Sequence, residues 1–218
     1  LHCLNGVLKP LSGKIFINSC DIASLSQNTI AKQISLVPQE HIEIFPFKVI
    51  DVVVMGRTPF IGMTKTPGKL DYKCAMEALQ NLNAQNLAKK NFNRISGGER
   101  QIVLLAMALA QASKIMLLDE PTNHLDFNNQ YLLLGRIKNL CKTNNLSVVA
   151  SMHDPNMAMF FADKVIMIKN NHIIAQGPAC KVMTNANISE LYDTKTIQIK
   201  IDDKKSFFLP EVETVVKN

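Results

Sequence analysis

Four consecutive apolar residues, Ile115-Met116-Leu117-Leu118, stop abruptly at Asp119-Glu120-Pro121-Thr122. A short unbroken apolar run suits a strand buried on both faces, and such strands belong to parallel sheets covered by helices on each side. In sheets of that kind ligands meet the protein at the carboxyl ends of the strands. The run therefore points to a layered α/β fold and sets two adjacent carboxylates at its reactive edge. Asp119 and Glu120 could merely begin a turn, with Pro121 ending the strand. Carboxylates at the end of a dry strand are nevertheless costly to desolvate unless a cation or hydrogen bonds compensate them. Magnesium is the natural compensation.

The rest of the chain repeats the alternation. Lys14–Asn18 reads as a short strand and Ile34-Ser35-Leu36-Val37 as another, ending at Pro38-Gln39. A helix is expected through Ala112, a second near Asn128 to Lys142, and a strand from Leu146 to Met152. Lys164–Lys169, Asn170-Asn171 and His172-Ile173-Ile174-Ala175 spell a β-hairpin with a two-residue turn. Leu1 to Asn5 reads as the end of a helix, with Gly6 as the residue after its cap and Pro10 beyond. Between residues 40 and 94 the character changes. Pro46, Pro59, Gly62, Pro67 and Gly68 punctuate the segment, and a helix from about Asp71 to Leu87 carries Ala75, Leu79 and Leu82 on one stripe. This is the pattern of a small helical subdomain inserted into a single domain spanning 1–218. Residues from Asp202 onward carry no readable pattern.

Composition narrows the function. A length of 218 residues with 47% hydrophobic content fills one full core. The net charge of +6 is spread out, with no block of five or six like charges, and Trp is absent. A solvated basic surface fits better than a nucleic-acid footprint. Cys3, Cys20, Cys74, Cys141 and Cys180 are far apart and form no C-x-x-C pair, which suits a reducing compartment. The apolar stretch Ile102–Ala110 is too short for a bilayer that needs about 20 residues. Any membrane association then runs through a partner.

Ser96-Gly97-Gly98-Glu99-Arg100-Gln101 opens the helix before the acidic strand. Ser96 with Glu99 three residues on is a capping box, which by itself asks for no ligand. Two glycines inside a helix are another matter, each costing about 1 kcal/mol against alanine. Beside a hydroxyl at a helix N-terminus they leave backbone N–H groups bare for a phosphate at the positive end of the dipole. The following segment, Ile102–Ala110, is apolar nearly all round and should be buried, giving that terminus a rigid mount.

Together these segments resemble the signature and Walker B motifs of ABC transporter ATPases, and the resemblance extends from Leu1 to about Tyr192. It implies a P-loop NTPase-type, largely parallel sheet flanked by helices, with ATP and Mg²⁺ as ligands. By resemblance Asp119 holds Mg²⁺ and Glu120 polarises the attacking water. Gln39 matches the Q-loop glutamine, which meets metal and water and links the core to the inserted lobe. His153 matches the switch histidine at the γ-phosphate. Ser96, Gly97, Gly98 and Glu99 match the motif that contacts ATP held by a second subunit, so a dimer, and most simply a homodimer, is implied. Asn123-His124-Leu125-Asp126 resembles the D-loop, with Asp126 as a dimer contact that can also cap the next helix. Departures are Ile95 where Leu is usual, Met107 where Arg is frequent, and a missing G-x-x-x-x-G-K-[ST] loop. The place of that loop would be just before Leu1. The chain as it stands is therefore expected to hydrolyse almost no ATP, and its complete parent to bind and hydrolyse it.

Phe47–Ile61, with Val54-Met55-Gly56-Arg57-Thr58-Pro59, resembles the importer branch serving iron-siderophores, haem, vitamin B12 or molybdate. His153-Asp154-Pro155-Asn156 and Ala175-Gln176-Gly177-Pro178 point the same way. That resemblance implies an integral membrane permease docking near Gln39 to Phe60, a substrate-binding protein acting indirectly, and a peripheral place on the cytoplasmic face of the membrane. The alternative is a soluble ABC ATPase acting on nucleic acid or ribosomes. Such proteins usually carry a long coiled-coil arm or a second cassette, and the stretch from Gln39 to Ser96 has room only for a small lobe. A non-catalytic subunit completing a partner's site fits poorly with Glu120 and His153 both in place. No nucleic-acid partner is expected.

Overall fold

Asn18 and Ser19 both take positive φ, and this turns the chain back on itself so early that the expected first strand contributes only two paired residues. The computed structural model describes residues 1–39, 46–62, 65–123, 125–203 and 205–211. Residues 40–45, 63 and 64, which belong to the segment expected as an inserted lobe, and His124 lie outside the described residues. The chain divides into two compact units, Leu1–Ser151 and Met152–Asn218.

In the first unit, β1 (Phe16–Ile17) pairs antiparallel with β2 (Cys20–Asp21), and α1 (Gln27–Ala31), capped by Ser26, leads into β3 (Ile34–Val37). Then follow α2 (Val49–Val54), α3 (Lys69–Asn81), α4 (Gly97–Ala110), β4 (Ile115–Asp119), α5 (Phe127–Thr143) and β5 (Ser147–Ser151). The strands pair in parallel in the order β3-β4-β5. Central β4 buries Met116, Leu117 and Leu118, as its apolar run requires. Its last residue, Asp119, stands in register with Ser151, the last of β5.

Helices α2, α3 and α4 pack on one another through Val52, Val53, Ala75, Leu79, Val103 and Ala106, all fully buried. The sequence stripe of α3 is thus confirmed, but the helix ends at Asn81 rather than near Leu87. Asn83 takes a positive φ of 52° and breaks it, and a separate short 3₁₀ turn covers Gln85–Leu87. Helix α4 likewise stops at Ala110, because Ala112 sits at a φ of 53°. Gly56 approaches α4 so closely that a Cβ there would lie 2.0 Å from the Met107 carbonyl oxygen. At the opposite terminus of the unit, Gly6 (φ 72°) closes the Leu1–Asn5 turns. The N–H groups of Val7 and Gly6 donate to His2 and Cys3 carbonyls, the paired bonds of a Schellman motif.

The second unit holds α6 (Pro155–Phe161), β6 (Lys164–Lys169), β7 (His172–Pro178), α7 (Ala179–Val182), α8 (Asn185–Tyr192), β8 (Thr196–Lys200) and β9 (Ser206–Pro210). Strands β6 and β7 form the expected hairpin, with Asn170 and Asn171 at φ 49° and 64°, the left-handed pair that a type I′ turn needs. Its core joins Met159, Met167, Met183, Ile188 and Phe208. The β8–β9 hairpin brings order to residues beyond Asp202 that the sequence pattern leaves blank. Among the described residues no helix is long and apolar enough to cross a membrane.

Candidate functional site

The carboxyl end of β4 gathers three of the expected site residues. Asp119 ends the strand, and Glu120 follows with a φ of 46°, a left-handed backbone that costs a residue with a Cβ about 1–2 kcal/mol. Conformations of this kind persist where surrounding structure holds them, typically at functional sites. Ser151 does the holding. Its hydroxyl donates to Asp119 Oδ1 at 2.6 Å and accepts from the Glu120 N–H at 2.9 Å. The parallel register makes this possible, because Ser151 is the partner of Asp119 across the ladder.

The Glu120 carboxylate meets two amides. Gln39, two residues beyond the end of β3, donates its Nε2 to Glu120 Oε2 at 2.5 Å. Asn123 Nδ2 donates to the same oxygen, and the Asn123 backbone N–H donates to the Glu120 carbonyl at 3.1 Å. Gln39, Asp119 and Glu120 thus converge from β3 and β4. Ser151 and Asn123 complete the group, and the sequence reading named neither for this role.

Oxygen chemistry here suits a hard divalent cation. Magnesium commonly takes one or two carboxylates plus substrate phosphates and water. Asp119 offers a carboxylate, and Gln39, donating through its NH₂, still carries a carbonyl-type oxygen that can accept or ligate. Among the described residues no three His, Cys, Asp or Glu side chains gather as a metal centre. An ion here would draw its remaining ligands from phosphate and water.

The second cluster is the N-terminus of α4. Ser96 is exposed and extended (φ −65°, ψ 162°), and its Oγ accepts from the Glu99 N–H at 3.2 Å. Glu99 Oε2 accepts from the Ser96 N–H at 2.9 Å, completing the capping box. That backbone N–H, reinforced by Lys90 Nζ at 3.2 Å, holds the Glu99 carboxyl below its ordinary value of 4.5, against a smaller upward push from burial. The first α-type bond runs from Arg100 N–H to the Ser96 carbonyl. Gly97 and Gly98, at N1 and N2, are the donors that helix geometry leaves without an intrahelical partner. A Cβ at Gly97 would meet nothing within 4 Å, so this glycine borders open space. A Cβ at Gly98 would lie 3.4 Å from Leu125, which brings the turn after β4 against the start of α4.

Asp126 is exposed and caps α5, accepting from the Asn129 N–H and side-chain amide, each at 2.8 Å. His153 belongs to the second unit, where it is exposed and its carbonyl accepts from the Tyr192 hydroxyl at 2.5 Å. Burial, then the nearby Asp154 charge, pushes the Tyr192 hydroxyl above its ordinary range.

The far end of α4 is closed by a residue that the sequence quotes only as part of a motif. Arg57 is 8% exposed, and its Nη1 donates to the Ala110 carbonyl at 2.9 Å. Its Nε lies 3.4 Å from Asp71 Oδ1, and its guanidinium rests 4.1 Å from the Phe60 ring centre. Asp71 also accepts from the Gly68 N–H at 2.9 Å, tying the start of α3 to the end of α4.

The family model described as "ABC transporter" matches residues 1–123. The chain belongs to the ABC transporter ATP-binding family. It is 39% identical over 206 residues to a Helicobacter pylori (strain J99) protein named "Probable iron chelatin transport ATP-binding protein", covering 94% of this chain and 80% of that one. It is 34% identical over 220 residues to the Haemophilus influenzae molybdate import ATP-binding protein MolC, covering 100% of this chain and 81% of the relative. Among solved structures, an inward-facing metal-chelate type ABC transporter superimposes with a TM-score of 0.84 at 31% identity, covering 99% of this chain and 82% of that one. A bacterial ABC transporter cassette solved as a dimer follows with a TM-score of 0.69 at 25% identity, covering 82% and 78%. The parallel sheet with flanking helices is that of ABC ATPases, as the sequence motifs imply.

Proposed function

We propose that the chain is the ATP-hydrolysing subunit of an ABC importer that carries a metal chelate or related oxyanion, such as an iron-siderophore, haem, cobalamin or molybdate. The observation that carries this reading is the meeting of Gln39, Asp119 and Glu120 at the end of a dry parallel strand, in a chain that also holds a glycine-rich helix start open to solvent. The names of the iron chelatin and molybdate relatives support the importer class.

In this reading Glu120 accepts the proton of the water that attacks the γ-phosphate, a role that commonly contributes about 10²–10⁴-fold to rate. Asp119 and Gln39 hold Mg²⁺, which supplies charge stabilisation to the phosphates. His153 meets the γ-phosphate. Ser96, Gly97 and Gly98 cap the γ-phosphate of a nucleotide held by a second copy, and Glu99 keeps that turn in shape. Asp126 lies at the contact between copies, and the dimeric cassette supports that arrangement. Residues 40–94 form the inserted lobe of one ATPase domain spanning 1–218. A permease docks between Gln39 and Phe60, where Phe47, Met55 and Phe60 are 44%, 41% and 44% exposed. The subunit sits peripherally on the cytoplasmic face of the membrane.

The chain contains no G-x-x-x-x-G-K-[ST] loop, so its own hydrolysis is expected to be negligible. The test uses the protein extended at its N-terminus by a phosphate-loop segment. Glu120→Gln there should bind ATP, turn over about 10²–10⁴-fold more slowly, and elute from gel filtration as an ATP-dependent dimer. Wild-type turnover with monomers only would end the reading.

A further inference from the structure

We infer that Ser151 and Asn123 are positioning residues for Glu120, Ser151 through its backbone N–H and Asn123 through its carboxylate, an inference that rests on the reading of Glu120 as the water-handling group. Ser151 acts on the backbone. One hydroxyl accepts the Glu120 N–H and donates to Asp119 Oδ1, so a single atom sets the orientation of both carboxylate residues. It does so from the adjacent strand, where the ladder fixes its position to the pitch of the sheet. Replacing the hydroxyl by hydrogen would leave an N–H and a carboxylate oxygen without these partners, and Glu120 would lose a bond that secures its left-handed backbone.

Asn123 acts on the side chain. It sits three residues after Glu120 in a turn closed by its own N–H on the Glu120 carbonyl, so its amide reaches the carboxylate over a short, constrained path. Gln39 donates to the same carboxylate oxygen but arrives from a strand end 81 residues away in sequence. The two amides therefore differ in kind. Gln39 can leave Glu120 to serve a cation, and Asn123 then still holds the carboxylate where water must be met. Small misplacements of a reacting group can cost about 10²-fold in rate, which is the scale on which such a holder acts.

The experiment is steady-state ATP hydrolysis by the protein carrying its phosphate-loop segment, with melting temperature recorded for every variant. Ser151→Ala is expected to lower kcat by about 10–10². It should leave KM for ATP within about twofold and raise the Mg²⁺ concentration for half-maximal rate, because Asp119 loses its anchor. Ser151→Thr, which keeps the hydroxyl, should restore kcat. Asn123→Ala should lower kcat by about tenfold without moving the Mg²⁺ midpoint, since it touches Glu120 and not Asp119. Wild-type kcat in both Ser151→Ala and Asn123→Ala, beside a Glu120→Gln that has lost turnover, overturns the positioning roles and leaves the reading of Glu120 intact. Full turnover in Glu120→Gln removes the reading itself. Should Ser151→Ala fail to fold, Asn123→Ala and the Ser151→Thr Mg²⁺ profile decide the matter.

Discussion

The two ends of α4 are treated in opposite ways. At its C-terminus Arg57 occupies the last carbonyl, Gly56 lets the backbones nearly touch, and Phe60 and Asp71 hold the Arg57 guanidinium in place. At its N-terminus Ser96 is exposed, Gly97 borders empty space, and the Gly97 and Gly98 N–H groups are ones that helix geometry leaves without an intrahelical partner. Stability is invested at one end and availability at the other. A helix fixed by its tail and buried along Val103 to Ala110 can present its head to a charged ligand without the rest of the unit yielding. The difference shows that a helix N-terminus need not be floppy to be open.

Substitutions at Ser96, Gly56 and Arg57, and acidification, would break or sharpen that contrast. Ser96→Arg, in the protein with a phosphate loop, should abolish hydrolysis by filling the open end, a loss of at least about 10²-fold, while ATP binding by the monomer persists. Its unfolding free energy should fall only by the worth of a cap, about 1 kcal/mol. Equal damage to stability and binding would mean that the open end is structural after all. Gly56→Ala at the closed end should do the reverse and destabilise by about 3 kcal/mol, because the new methyl meets the Met107 carbonyl at 2.0 Å and neither backbone can give way cheaply. Urea unfolding would measure it.

Arg57→Ala should cost somewhat less, about 2 kcal/mol, through an unpaired Ala110 carbonyl and the lost contact with Phe60. Arg57→Lys should recover only part, since a point ammonium cannot reproduce the flat stack on the ring. The smallest effect is acid loosening of the capping box. The folded Glu99 carboxyl titrates below its ordinary value of 4.5, so the box stabilises the fold above that value and loses its contribution as pH falls through the depressed one. The amide proton signals of Ser96 and Glu99 should shift in that acid window in the wild type and stay put in Glu99→Gln.

Periodicity makes much of this fold legible. The β4 run announces a dry central strand, and Asn170-Asn171 marks the hairpin because those residues tolerate positive φ. The breaks at Asn83 and Ala112 are less visible, since neither residue is a glycine and the apolar stripe continues past them. The β8–β9 hairpin is hidden for a different reason. Its alternating Ile197 and Ile199 are about half exposed, so the pattern does not mark an inward face. At the site, Asp119, Glu120, Ser96 and Gln39 stand out by type and spacing. Ser151 does not, because only the pairing of two strands 32 residues apart puts its hydroxyl beside Asp119. Counting register along the two predicted strands is the signal that could have found it. Arg57 is similar: Gly56-Arg57-Thr58-Pro59 is conspicuous, yet its role needs the end of α4 to be in place.

The left-handed backbone at Glu120 also limits which residues can ever stand there. Valine, isoleucine and threonine would clash with their own carbonyl, whereas glycine, asparagine and aspartate tolerate the geometry. Mutational drift at this position is consequently channelled toward short polar or glycine side chains. A survey of random variants should recover folded protein from that narrow set long before it recovers any from the branched aliphatics.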